Sequence, residues 1–214
     1  MIKKESNTTI EKIISKELAK DKVFENPFNQ FSLWFDEAKQ FETFEPTAAV
    51  LSTIDKENHP SARTILLKDV NEKGFVFYTN YGSKKAKELT SNPNASLLFL
   101  WKELQRQVRI EGTTEKVSRK ESEEYFHSRP RESQIGAWAS AQSSVIPDRK
   151  SLDDKFEEYR KKFGEDEIPL PDFWGGYILV SNYFEFWQGR PNRLHDRICY
   201  KLENNNWKIF RLAP

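Results

Sequence analysis

From Thr47 to Val117 the chain alternates short runs rich in β-branched residues with tight turns, and this alternation constrains the fold more than any other feature. Thr47 to Ile54 reads as a strand, Asn58-His59-Pro60 as a turn, and Ser61 to Val70 as the next strand. Asn71-Glu72-Lys73-Gly74 turns again, Phe75 to Asn80 is a third strand, and Ala95 to Trp101 a fourth. Gln105 to Val117 reads as a long fifth, with Val108 and Ile110 alternating against Arg109 and Glu111. Strands joined by such short connections pair antiparallel, because a parallel pair needs a crossover of a dozen residues or more. Three further strand regions end the chain: Trp174 to Val180, Tyr183 to Trp187 with Arg193 to Leu202, and Trp207 to Leu212. Helical patterns over Ser83–Leu89, Arg119–His127, Pro130–Ser140 and Ser151–Phe163 interrupt them. The expected class is α+β, a mainly antiparallel barrel with helices packed outside.

Ahead of the strands, Thr8 with Glu11 three residues on forms a capping-box pattern, followed by Ile10, Ile13, Ile14 and Leu18 at helical spacing. We read residues 1–26 as an N-terminal arm, a loosely attached and partly flexible helix, and residues 27–214 as one domain. A second helix with an aromatic face is expected from Pro27 to Ala38. Only 37% of the 214 residues are hydrophobic, but 16 Phe, 7 Tyr and 6 Trp provide enough ring area for a core. With 34 basic against 33 acidic residues, any cationic site is local, which argues against a nucleic-acid-binding surface. No apolar run reaches membrane-spanning length, and the N-terminus lacks the apolar segment of a secretory signal. The lone cysteine, Cys199, permits no intrachain disulfide and reads as a buried thiol, which fits a reducing, cytoplasmic setting.

Four constellations carry chemistry. In Arg193-Leu194-His195-Asp196-Arg197, the alternation of a strand would put Arg193, His195 and Arg197 on one face, where they repel unless something anionic lies against them. In Tyr81-Gly82-Ser83-Lys84-Lys85, Ser83 is a good N-cap, and Lys84 and Lys85 fall in the first helical turn. Cations are unfavourable there unless a phosphate shares the free N–H groups. Arg63 and Lys68 end one strand, on opposite faces unless a bulge intervenes. Around Pro130, Tyr125, Arg129, Arg131 and Ser133 surround a helix start, a second anion position separate from the first. Two anion positions fit a phosphorylated cofactor and a phosphorylated substrate. His59, His127 and His195 show no metal-ligand spacing, and neither a P-loop nor a dinucleotide fingerprint is present. No metal is expected, and any chemistry belongs to an organic cofactor.

The ordered set Arg63-Thr-Ile-Leu-Leu-Lys68, Phe77-Tyr-Thr-Asn80, Gly82-Ser-Lys-Lys85, Arg106-Gln-Val108, Tyr125-Phe-His-Ser-Arg-Pro-Arg131, Ser133-Gln-Ile-Gly-Ala-Trp138, Gln142-Ser-Ser144, Phe173-Trp-Gly-Gly176, Phe186-Trp-Gln-Gly189, Arg193-Leu-His-Asp-Arg197 and Arg211-Leu-Ala-Pro214 resembles the pyridoxamine 5′-phosphate oxidase family. The resemblance runs from about Pro46 to the last residue. It implies an FMN-binding split β-barrel, a homodimer with FMN in clefts at the interface, and a cytoplasmic enzyme of vitamin B6 salvage. The implied reaction passes a hydride from pyridoxamine or pyridoxine 5′-phosphate to the flavin and then electrons to O2, giving pyridoxal 5′-phosphate and hydrogen peroxide.

By matching positions, the resemblance assigns the FMN phosphate and ribityl chain to Arg63, Lys84, Lys85, Gln142 and Ser143. It assigns the flavin ring and its surroundings to Leu66, Leu67, Lys68, Tyr78, Thr79, Gln107, Trp187 and Arg197. Lys68, Tyr125, Arg129 and Ser133 would meet the substrate phosphate, and Arg193 and His195 would lie over the reacting ring as catalytic residues. Lys84 departs from the family, which usually has Arg there, and so replaces a bidentate fork with a point charge. The loop Gly189-Arg190-Pro191-Asn192 is given no role, and no residue of the arm is carried over. Two alternatives stand beside this reading: another flavin or deazaflavin oxidoreductase of the same barrel class, and a pyridoxal phosphate carrier without turnover.

Overall fold

The longest strand, β7 (Trp174–Gln188), runs unbroken through fifteen residues where the sequence suggested two separate strands. The computed structural model describes residues 2–214, with side chains from residue 9 onward. The other strands are β1 (Ala48–Ile54), β2 (Pro60–Leu66), β3 (Asp69–Asn71), β4 (Gly74–Asn80), β5 (Asn94–Trp101), β6 (Arg106–Lys116), β8 (Asp196–Glu203) and β9 (Asn206–Arg211). They form one antiparallel sheet in the order β2-β1-β5-β6-β7-β4-β3, with β8 and β9 branching from β7. The N-terminal half of β7 pairs with β4 and its C-terminal half with β8, while β6 follows it almost end to end. The expected α+β class, a split barrel with outer helices, is what the chain adopts.

Aromatic rings fill the interior. The helix α2 (Pro27–Phe41) is capped by Asn26, whose side chain accepts from the Phe28 N–H at 2.8 Å. Its buried face carries Phe31, Trp34 and Ala38 onto the sheet. Phe31 meets Phe75 edge-to-face at 4.8 Å, and Trp34 meets Phe186 at 5.2 Å. Each large side chain buried this fully contributes about 1.5–3 kcal/mol, so α2 is a structural part of the barrel. Arg106 reinforces the joint, stacking 4.2 Å from the Trp34 ring while pairing with Glu37 and Gln188.

The remaining helices form a second layer. They are α3 (Lys84–Ser91), α4 (Arg119–Ser128), α5 (Arg131–Ala139) and α6 (Arg149–Phe163). Ser118 and Glu121 make a reciprocal capping box at the start of α4. Phe126, Ile135, Phe163 and Trp174 form a smaller core joining α4, α5 and α6 to β7.

The arm helix α1 (Ile2–Ser15) begins ahead of Thr8, whose side chain lies outside the described ones. Its C-terminal end is tied down: Ile13 and Leu18 are buried in the main core. The backbone carbonyl of Leu18 accepts from Arg211 at 2.6 Å, and that of Phe24 from the Tyr200 hydroxyl at 2.7 Å.

Two further strand expectations are corrected. The run Ser61–Val70 is two strands, because the chain leaves β1 after Leu66 and joins β4: the Leu67 N–H bonds to Thr47 O and the Lys68 N–H to Val76 O. Arg193 to His195 are not in a strand either. Residues Pro191–Arg193 form a single 3-10 turn with Asn192 and Arg193 at positive φ, and β8 starts only at Asp196.

β6 and β7 slip register between Glu111 and Gly112, and there the backbones nearly touch. A Cβ on Gly112 would lie 2.0 Å from Val180 O, a backbone atom that no rotamer change can move away. Gly112→Ala is expected to destabilise the protein by about 3 kcal/mol, the upper end of overpacking costs. Urea denaturation is the check; an unchanged midpoint would mean that the bulge yields freely.

Candidate functional site

A cavity of about 720 Å³ opens where the sheet is split, between the edge strand β2 and β4, with α4 and α5 along its other side. Arg63 and Leu66 of β2 reach it, as do Lys68, Tyr78 and Thr79, with Lys85 from α3 and Gln142 from the loop after α5. Tyr125, Arg129 and Ser133 complete the far wall. Arg63 and Lys68 share the cavity despite their odd spacing because the break at Leu67 resets the alternation. The two anion positions expected as separate sites thus open on one cavity.

At the α3 end, Ser83 caps the helix as expected, accepting from the Ala86 N–H. Lys85 then points into the cavity and donates to Thr79 Oγ1 at 3.1 Å and Gln142 Oε1 at 2.9 Å. Both acceptors are neutral. Burial pushes the Lys85 ammonium below its ordinary pKa, and the nearby Arg63 cation pushes the same way. Arg63 is braced by the buried Glu88 at 3.0 Å. Burial raises the Glu88 carboxyl, but hydrogen bonds from Thr53 and Ser61 and the charge of Arg63 outweigh it and hold the pKa below the ordinary value.

At the other end, Tyr78 and Tyr125 stack at 3.9 Å, with Trp174 stacked against Tyr78 at 5.5 Å. Burial pushes the Tyr78 hydroxyl up to about 12, so it stays protonated at neutral pH. The Arg129 guanidinium lies 4.8 Å from the Trp174 ring and donates through Nη2 to Ser133 O at 2.9 Å. Its Nη1 is buried without any partner among the described residues. Burial lowers the Arg129 pKa, an unfavourable environment for a cation that an incoming anion relieves. Trp174 was not singled out as a site residue, although Phe173-Trp174-Gly175-Gly176 marked the segment. Arg131, expected to share the anion position, turns away and donates to Gly164 O at 2.6 Å.

The remaining expected residues lie elsewhere on the chain. Leu67 is turned into the core. Lys84 is exposed, 3.7 Å from Glu88, and borders a separate hollow with Ser143. Gln107, Trp187 and Arg197 are cross-strand neighbours in one row on the outer face of the sheet. Arg197 donates to Glu185 at 2.7 Å and to Ala213 O at 2.8 Å. Beside that row, the His195 ring lies 4.5 Å from Trp187. Arg193 is exposed and has no partner among the described residues. Within one chain, then, the expected residues form two groups: the cavity, and a patch around Trp187. Among the described residues no helix is long and apolar enough to cross a membrane. Among the described residues, one group of potential metal ligands, Asp55, Glu57 and His59, sits in the turn after β1, where Asp55 already caps the turn by accepting from the Glu57 and His59 N–H groups.

The donor set of the cavity fits a phosphorylated ligand on its own terms: an unpartnered buried Arg129 Nη1, an ammonium satisfied only by neutral oxygens, and a flat aromatic wall. Comparison with known proteins agrees. Residues 35–163 match the family model for pyridoxamine 5′-phosphate oxidase, and residues 174–214 the model for the pyridoxine 5′-phosphate oxidase C-terminal dimerisation region. A pyridoxine/pyridoxamine 5′-phosphate oxidase of Crocosphaera subtropica is 56% identical over 200 residues, covering 92% of this chain and 94% of the relative. The Aliarcobacter butzleri protein of that name is 54% identical over 89% of this chain and 90% of its own. Among solved structures, PhzG from Burkholderia lata, in complex with tetrahydrophenazine-1-carboxylic acid, superposes with a TM-score of 0.87 at 28% identity, over 93% of this chain and 98% of that one. A pyridoxamine 5′-phosphate oxidase-related, FMN-binding protein from Nostoc punctiforme shares the fold, with a TM-score of 0.70 at 13% identity over 94% of this chain and 100% of the other.

The depressed Glu88 carboxyl makes the stability of this wall depend on pH. Its folded pKa lies below the unfolded value, so its contribution is complete above about pH 4.5 and is lost as pH falls through the folded value. The urea midpoint of the wild type should exceed that of Glu88→Gln by a constant amount near neutral pH, and the gap should close in acid. A gap that widens below pH 4.5 would show that the carboxylate is held at a net cost.

Proposed function

The chain belongs to the pyridoxamine 5′-phosphate oxidase family, and on that footing we propose that it oxidises pyridoxamine or pyridoxine 5′-phosphate to pyridoxal 5′-phosphate with FMN as cofactor. The observation that carries this reading is the cavity with a cationic group at each end of an aromatic wall. Its dimensions and donors suit two phosphorylated ligands side by side. Bound FMN would supply the two-electron redox chemistry that couples oxidation of the substrate to reduction of O2.

The protein's own part is positioning and electrostatics. Arg63 and Lys85 hold the FMN phosphate, with Gln142 and Thr79 orienting Lys85 for it. Lys68 and the free Nη1 of Arg129 hold the substrate phosphate, with Ser133 and Tyr125 beside them. Arg193 and His195 belong over the substrate ring, where His195, its Nδ1 accepting from the Arg190 N–H, presents Nε2–H as a donor that orients the substrate's amine or alcohol group. Gln107, Trp187 and Arg197 border the flavin from the same side. Since these residues form a group apart from the cavity of their own chain, the working unit is a homodimer in which each cavity is completed by the partner's outer face. The match of residues 174–214 to a dimerisation region supports this assignment.

Purified protein is expected to be yellow, to release all its flavin into the supernatant on acid precipitation, and to form peroxide with pyridoxamine 5′-phosphate. A colourless protein, or one that binds pyridoxal 5′-phosphate without turnover, would defeat the oxidase reading. Arg129→Ala should weaken the phosphorylated substrate by about 1.5–3 kcal/mol, the worth of a hydrogen bond to a charged group, with flavin content intact. Loss of flavin at unchanged substrate affinity would mean that the two phosphate positions are exchanged.

The shared site has its own test. Arg129→Ala and Arg197→Leu impair opposite halves of each site, so at substrate concentrations below the wild-type KM, where each variant alone is nearly silent, mixing the two under conditions of subunit exchange should restore about a quarter of wild-type activity through mixed dimers with one intact site. No recovery despite demonstrated exchange would place both residues in one subunit's site.

A further inference from the structure

The loop that carries Arg193 and His195 is held by a residue for which the motifs provide no role. Arg190 directs its whole side chain at fixed acceptors: Nε donates to Asp196 Oδ2 at 2.6 Å, Nη1 to Ile14 O at 2.6 Å, and Nη2 to Lys16 O. Its backbone N–H donates to His195 Nδ1 at 3.1 Å. Asp196 in turn accepts from Arg211 at 2.7 Å and from the Leu18 N–H at 3.2 Å. Burial raises the Asp196 carboxyl, but the two arginines and the Leu18 N–H outweigh it and keep it charged. The Arg190 side chain is 16% exposed.

From this arrangement we infer that Arg190 is a positioning residue for His195, fixing which ring nitrogen carries the proton and tying that choice to the docked segment 14–18. A backbone N–H pointing at Nδ1 requires a lone pair there, so the neutral ring carries its proton on Nε2, the nitrogen left open. The N–H keeps that aim only while the Arg190 backbone is held, and the residues after it resist being held. Asn192 and Arg193 sit at φ +58 and +62, a region costly for residues with a side chain. The three acceptors of the guanidinium supply the restraint: Asp196 at the start of β8, and two carbonyls of the N-terminal segment. The inference rests on the reading that His195 acts on the substrate.

The test uses 15N-labelled full-length protein with its flavin bound, the His195 signals being identified by their loss in His195→Asn. In the wild type, long-range proton–nitrogen correlations should show Nδ1 unprotonated and Nε2 protonated at a pH where the ring is neutral. In Arg190→Ala a mixture of both forms is expected, together with a fall of about tenfold or more in the anaerobic flavin-reduction rate at saturating substrate, as for a misaligned reacting group. Flavin content and substrate KM should change less than about twofold, since neither contact is touched. Arg190→Lys keeps a cation for Asp196 and should recover part of both effects; it also serves should the alanine variant fail to fold. A tautomer pattern identical to wild type, or a changed pattern with an unchanged reduction rate, would overturn the inference. If the wild type oxidises no B6 phosphate, the oxidase reading fails separately, and the tautomer comparison still decides whether Arg190 holds His195.

Discussion

The fold depends on one strand having three partners. β7 holds β6 along nearly its whole length, β4 on its first half and β8 on its second. β4 leads to the cavity wall that carries Tyr78 and Thr79, and β8 carries Arg197 on the outer face. The same strand opens with Trp174, which packs the helical layer and lines the cavity, and ends near Trp187, which packs against His195. A long antiparallel strand with short partners is how one sheet curls and remains split. The split leaves the edge of β2 uncovered by any strand, and the binding cavity occupies that gap.

Much of this was legible in the sequence where local chemistry decides the outcome. Ser83 caps the helix it should, because a short polar side chain before a helix satisfies N–H groups that nothing else reaches. Strand positions from Thr47 to Val117 follow from β-branched runs between turns. Failures occurred where the outcome is set by partners far along the chain. Nothing local shows that the strand from Ser61 must change partners at Leu67, since both pairings are ordinary ladders and only the closure of the barrel selects the switch. Alternation in Arg193-Leu194-His195-Asp196-Arg197 imitated a strand, but Asp196 is claimed by Arg190 and Arg211 and the turn before it is bent by positive φ at Asn192 and Arg193. Lys84 and Lys85 looked equivalent; one residue of helical rotation sends Lys85 into the cavity and Lys84 toward solvent and Glu88. The motif resemblance assigns these residues to one site, whereas the chain's own geometry divides them between a cavity and an outer face.

The charge arrangement follows the same division. Net charge is +1, so the cationic character of the cavity is a local excess maintained against a nearly neutral whole. The buried acids are placed behind the cations: Glu88 behind Arg63, Glu185 between Arg109 and Arg197, and Asp196 between Arg190 and Arg211. Buried ion pairs of this kind add little net stability once desolvation is counted, yet removing one partner is costly. Their effect here is geometric. Each fixes an arginine in direction, so that Arg63 stays at the mouth of α3 and Arg197 beside Trp187.

Arg129 is the exception, and the contrast shows what a phosphate contributes. Among the described residues no carboxylate backs it and Nη1 has no partner; the Trp174 and Phe126 rings and one carbonyl are its neighbours. A desolvated donor left unmade costs about 1–3 kcal/mol, more when charged. The folded enzyme carries that cost without ligand, and a phosphate bound at Nη1 would remove it. In the proposed placement of the substrate phosphate at Arg129, much of the affinity is gained far from the reacting carbon, where it would orient the ring against the flavin without depending on which group, amine or alcohol, the ring presents. An unphosphorylated vitamer would leave Arg129 as it is and forgo both the affinity and the alignment. On that placement, an enzyme built on this cavity would act on B6 phosphates and accept both of them for the same physical reason.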